Sequence, residues 1–177
     1  MNTLELEKAA RSDRFLKNNF GGVYACDQLP KYAIHNGYIA DINNSKLPGS
    51  HWVAMWFVPA RKEVYYFDSY GLKPPNVHIV RFLKRNSIFK KYNLRVLQSH
   101  CSTVCGQYCL YFLSHRARGF PPERILKTFG KKKQRNDELV VRFAHKLYNM
   151  RPRPPTIDSG CVQRSLSLAA RTLLRAD

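Results

Sequence analysis

The stretch HWVAMWFVPARKEVYYFD, residues 51–68, decides the fold. Its two halves, His51 to Val58 and Arg61 to Asp68, are runs of β-branched and aromatic residues on either side of Pro59-Ala60, which predicts an antiparallel hairpin. The first run is apolar on both faces, as a central strand covered on both sides has to be. A turn centred on Pro59-Ala60 sets His51 directly opposite Asp68, on one face, with Cβ atoms about 5 Å apart. That register holds unless a bulge interrupts it.

Outward from the hairpin, GYIADI at residues 37–42 reads as a short strand, and the Asn-, Ser-, Pro- and Gly-rich residues 43–50 as a loop. Residues 3–19 read as a helix capped by Thr3, with Leu4, Leu6, Ala9, Ala10 and Phe15 as core contacts. Phe20-Gly21-Gly22-Val23 breaks it. After the hairpin come a helix from Val77 to Arg85 and a strand from Leu94 to Gln98. GQYCLYFLSH, residues 106–115, is too apolar for a surface helix and reads as a buried one. Pro122 to Phe129 is a further helix stopped by Gly130, Lys131 to Arg135 a basic loop, and Asp137 the cap of a last helix. Leu139, Val140, Phe143, Ala144 and Leu147 fall on one face of that helix. Residues 1–150 form one domain; residues 151–177 are a Pro/Arg linker and a tail with apolar residues at helical spacing.

The chain of 177 residues holds 30 Lys and Arg against 12 Asp and Glu, a formal net charge of +18. Residues 1–60 carry six basic and five acidic side chains, so nearly all the excess lies beyond residue 60. Such a surface attracts polyanions by releasing their counterions, which makes DNA or RNA the expected partner. Lys90, Lys91, Lys131, Lys132, Lys133 and Arg135 are the candidate contacts. The apolar and aromatic content excludes a disordered basic tail, and no apolar run approaches a bilayer span. Five cysteines without a secretory signal point to reduced thiols and an intracellular setting. A monomer is expected.

Four residues can build a nucleophilic site. Cys105 stands where a loop enters the buried helix, whose positive end favours the thiolate. His51 can take the thiol proton and return it to a leaving amine, and Asp68 can orient the imidazole. Gln98 and the Cys105 backbone amide can donate to an oxyanion. Cys101, Cys105, Cys109 and His115 lack the close pairs of a structural zinc site, so no metal is expected, nor any small-molecule cofactor. Cys109 and Cys26 read as small core residues.

In the order His51-Trp52, Tyr66-Phe67-Asp68-Ser69-Tyr70-Gly71, Gln98 and Cys105-Gly106-Gln107-Tyr108-Cys109, the chain resembles the adenovirus-type cysteine proteases. It is similar also to proteases of adenovirus-like transposable elements and to those that process ubiquitin-like proteins. The resemblance runs from about Phe15 through Gly119. It implies an α+β fold, with a central, mostly antiparallel sheet packed on a buried helix that starts at the nucleophile, and flanking helices. It implies His51, Asp68 and Cys105 as a triad with Gln98 at the oxyanion, and a channel for small residues lined by Trp52 and Gly106. It also implies structural precursor proteins as substrates, DNA as a stimulating cofactor, and a place in the virion and host nucleus. Adenoviral enzymes have Glu where this chain has Asp68. They also bind an activating peptide through a cysteine upstream of the glutamine, whereas no cysteine lies between Cys26 and Cys101 here. The alternatives are an isopeptidase for ubiquitin-like proteins and a non-catalytic, nucleic-acid-packaging protein.

Overall fold

The computed structural model describes residues 1–148. The boundary after residue 150, the Pro/Arg linker and the tail with Cys161 lie outside the described residues. Helix α1 (Thr3–Ser12) leads into strand β1 (Phe20–Ala25), followed by β2 (Gly37–Asp41), β3 (Trp52–Val58) and β4 (Glu63–Phe67). Then come α2 (Val77–Asn86), β5 (Phe89–Tyr92), α3 (Cys105–Ala117), α4 (Pro122–Lys127) and α5 (Lys133–Tyr148). The five strands form one sheet in chain order. The class is α+β, as expected, but the sheet is evenly mixed: β2–β3 and β3–β4 are antiparallel, β1–β2 and β4–β5 parallel.

The central hairpin is present with a longer turn. Pro59–Arg61 form a 3₁₀ turn and Lys62 adopts a left-handed conformation at φ 50°. Val58 therefore pairs with Glu63 and Ala54 with Phe67, two residues later than the expected register. His51 and Asp68 are diagonal neighbours, not direct partners. A shift of two residues preserves the side-chain alternation, so both remain on one face.

Helices cover both faces of the sheet. Helices α1, α3 and α5 bury Leu6, Ile39, Phe67, Tyr108, Phe112 and Val140 on one side. On the other, Ile79, Phe82 and Leu83 of α2 close over Met55, Phe57 and Tyr66. α3 is buried along most of its length, and Phe112 stacks on Phe67 at a centroid distance of 4.5 Å. Each such aromatic contributes about 2–3 kcal/mol by leaving water. The ends of α1 and α3 are joined by an ion pair in which the half-buried Arg118 donates to the buried Asp13 at 2.8 Å.

Several local expectations are corrected. α1 ends at Ser12 and is capped by Asn2, whose side chain accepts from Glu5 N–H while the Glu5 carboxylate accepts from Asn2 N–H. That reciprocal pair satisfies two end donors, which Thr3 inside the helix could not do. Leu4 and Phe15 are exposed. Phe20-Gly21-Gly22-Val23, expected only as a break after the first helix, belongs to strand β1. Leu94 to Gln98 is no strand; β5 lies earlier, and Leu97 and Gln98 donate instead to the Ser69 carbonyl. Lys133 and Arg135 are helical, and Asp137 does not cap α5 but is buried within it, accepting from the Tyr108 hydroxyl at 2.9 Å.

Candidate active site

His51 immediately precedes β3, Asp68 immediately follows β4, and Cys105 is the first residue of α3. Topology thus brings the ends of three elements together. His51 Nε2 and Asp68 Oδ1 are 2.9 Å apart, both residues being buried. The Cys105 thiol lies close enough to the same imidazole for each group to shift the other's proton affinity. Asp68 is fixed by its own turn. Tyr70 N–H donates to Oδ1 at 2.7 Å, Gly71 N–H returns to the Asp68 carbonyl, and Gly71 has φ +70°. A Cβ on Gly71 would lie 2.8 Å from the Leu94 and Arg95 backbone, so only glycine fits.

Burial alone lowers the basicity of an imidazole, but the Asp68 charge and hydrogen bond, with help from Cys105, push His51 up to about 10. Burial likewise raises a thiol, yet the hydrogen bond and charge of His51, the Trp52 backbone amide and the Met1 ammonium bring Cys105 below its ordinary value. No side chain caps α3, whose N-cap is Val104, so its positive end faces the sulfur without a competitor. These effects favour a thiolate–imidazolium pair. Cys109, one turn on, is the opposite case: burial and the neighbouring Cys105 raise its thiol well above the usual range.

Gln98 is buried in the loop before Cys105. Its Oε1 accepts from Ser69 Oγ at 2.7 Å, and its Nε2 donates to the Ser102 carbonyl at 2.6 Å, with a second amide hydrogen remaining. The Trp52 indole donates to the Met1 carbonyl at 3.0 Å. Gly106 faces α1: a Cβ there would meet Leu6 Cδ2 at 3.0 Å. Lys90 donates to the Ser87 and Ile88 carbonyls and Lys91 pairs with Glu63 at 2.8 Å, so both ammonium groups are engaged. Lys131, Lys132 and Arg135 are exposed and Lys133 half-buried around the start of α5. Sequence reasoning missed Asn93, which brackets Asp68 by accepting from its N–H at 2.9 Å and donating to its carbonyl at 2.6 Å. Nothing in the local sequence marks it. Tyr70, whose ring centroid is 5.0 Å from that of His51, stood within the Asp68 motif and could have been found.

Among the described residues no helix is long and apolar enough to cross a membrane. No protein-family model matches the chain. A mimivirus protein named as a thiol protease, from Acanthamoeba polyphaga mimivirus, is 32% identical over 126 residues; the match covers 58% of this chain and 41% of the relative, so the chain spans less than half of that protein. The protease of Bovine adenovirus 4 is 28% identical over 139 residues, covering 67% of this chain and 69% of that one. The crystal structure of the ASFV pS273R protease superposes with a TM-score of 0.57 over 86% of this chain and 67% of that one, at 14% identity, which is a likeness of fold. In sequence the chain is therefore similar to two viral proteases, and in fold to a third.

Proposed function

We propose that the chain is a cysteine endopeptidase in which Cys105 attacks the scissile carbonyl, His51 shuttles the proton and Asp68 orients His51. The observation that carries this is one buried imidazole held by Asp68 at 2.9 Å beside a thiol at the uncapped start of α3. Attack forms the C–S bond as the carbonyl oxygen becomes an oxyanion. The Cys105 amide and the remaining Gln98 hydrogen stabilise that charge. The His51 proton passes to the departing amine, and water then releases the acyl group from sulfur with His51 as base.

The substrate side of the reading is a chain with small, Gly-rich residues at the scissile bond, in keeping with a site where Cys105 retains 8% of its surface and His51 6%. Viral or virus-like structural precursor proteins are the proposed substrates, as the resemblance to the adenovirus-type proteases implies. DNA is the proposed stimulant, held by Lys131, Lys132, Lys133 and Arg135. Gly-Gly-X peptides should be cleaved by the wild-type protein and not by Cys105→Ala. Hydrolysis persisting in Cys105→Ala would remove the assignment, and rapid labelling of Cys105 by a ubiquitin-like covalent probe would redirect it to isopeptidase chemistry.

A further inference from the structure

We propose that Asp41 is a positioning residue for His51, acting through the loop that delivers the imidazole to the site; the inference rests on the protease reading above. Asp41 closes β2 and is buried. Its Oδ1 accepts from Asn43 N–H at 2.8 Å and its Oδ2 from Ser50 N–H at 3.1 Å, Ser50 being the residue immediately before His51. The two ends of the excursion from Ile42 to His51 therefore converge on one side chain. That excursion contains Pro48 and Gly49 and lies outside the β2–β3 ladder apart from the Ile42 N–H bond to the His51 carbonyl at 3.0 Å.

His51 is thus held by Asp68 on its ring and Ile42 on its carbonyl, while Asp41 fixes the Ser50 amide that immediately precedes it. Asp68 fixes the tilt of the ring, but the position of the ring's Cα relative to Cys105 depends on the backbone bonds. Burial raises the Asp41 carboxyl, while the Asn43 and Ser50 amides and the His51 charge oppose that rise. Gly49 leaves room for this arrangement: a Cβ there would lie 2.8 Å from Asp41 Oδ2. The colliding atom is the end of a side chain, so Gly49→Ala displaces the carboxylate at little cost to the backbone.

The test uses the whole chain and two variants that reach the same contact from opposite sides, Asp41→Asn and Gly49→Ala. Alkylation by iodoacetamide is followed site by site by mass spectrometry, with the exposed thiol of Cys101 as the internal reference. Both variants should slow Cys105 relative to Cys101 by about tenfold, with kcat on a Gly-Gly-X peptide falling in parallel and KM staying within about twofold. Circular dichroism establishes that each variant is folded. If Asp41→Asn does not fold, Gly49→Ala decides alone. Unchanged Cys105 alkylation in a folded variant, or a rise in KM alone, would overturn the proposal. A wild-type protein that cleaves no peptide would defeat the protease reading, yet the alkylation ratio would still decide whether Asp41 holds His51 against Cys105.

Discussion

At the scale of single residues, the site is an exchange of charge between two groups that burial would otherwise keep neutral. His51 is raised to about 10 and Cys105 lowered, so the ion pair exists above the depressed thiol value and is lost when His51 gives up its proton. The pH dependence follows with a definite sign. Activity and Cys105 alkylation should rise as the thiol ionises, at a lower pH than for an ordinary thiol, and activity should fall on the alkaline side as the imidazolium is lost at a pH of about 10. Asp68→Asn removes the charge that lifts His51, so the alkaline limb should move to lower pH and kcat/KM should fall about a hundredfold or more. An unmoved alkaline limb would mean that Asp68 does not set the state of the ring. The candidate triad was legible in the sequence because the hairpin sets His51 and Asp68 on one face and Cys105 stands where a loop enters a buried helix. Asn93 and Asp41 were not, because each acts on backbone groups that become neighbours only when the strands pair.

At the scale of elements, local patterns succeeded where one force dominated and failed where two competed. The hairpin and α3 were readable because their apolar density admits one environment. β1 was missed because Gly21 and Gly22 argue locally against a strand, while tertiary packing requires them. A Cβ on Gly21 would sit 2.2 Å from the Tyr38 ring, and Gly22 has φ +132° at a register irregularity between β1 and β2. Tyr38 is itself locked edge-on against Phe57 and Phe82. Gly21→Ala should therefore cost about 2 kcal/mol of stability, read as a lowered denaturation midpoint. A neutral result would show that the Tyr38 ring can move. The Lys62 left-handed turn shifted the hairpin register by two, a detail that Pro59-Ala60 did not advertise. The segment after β5 was misread as a strand because its backbone bonds go to Ser69 and, through Asn136 Nδ2 to the Leu97 carbonyl at 3.0 Å, to α5.

At the scale of the whole molecule, the charge excess has to be divided between groups that are engaged and groups that are free to meet a partner. Lys90, Lys91 and Arg118 have partners within the fold, whereas Lys131, Lys132 and Arg135 stand exposed near the start of α5. Replacing Lys131, Lys132 and Arg135 by Ala should leave peptide cleavage without DNA unchanged. It should reduce the slope of log affinity for DNA against log salt by about three. A DNA affinity unaltered in both size and slope would move the interface elsewhere. Composition by itself determined that the chain builds a packed core and presents a strongly basic surface, since both depend only on how many side chains of each kind it contains. The order His51, Asp68, Gln98, Cys105 pointed to the candidate chemistry through its resemblance to that of the adenovirus-type cysteine proteases. Only the tertiary structure decided the register that makes His51 and Asp68 diagonal neighbours, the parallel outer strands, and the backbone clamps of Asn93 and Asp41. These depend on which strand ends meet in space, and hydrogen bonds between distant backbone groups leave no periodic trace along the chain.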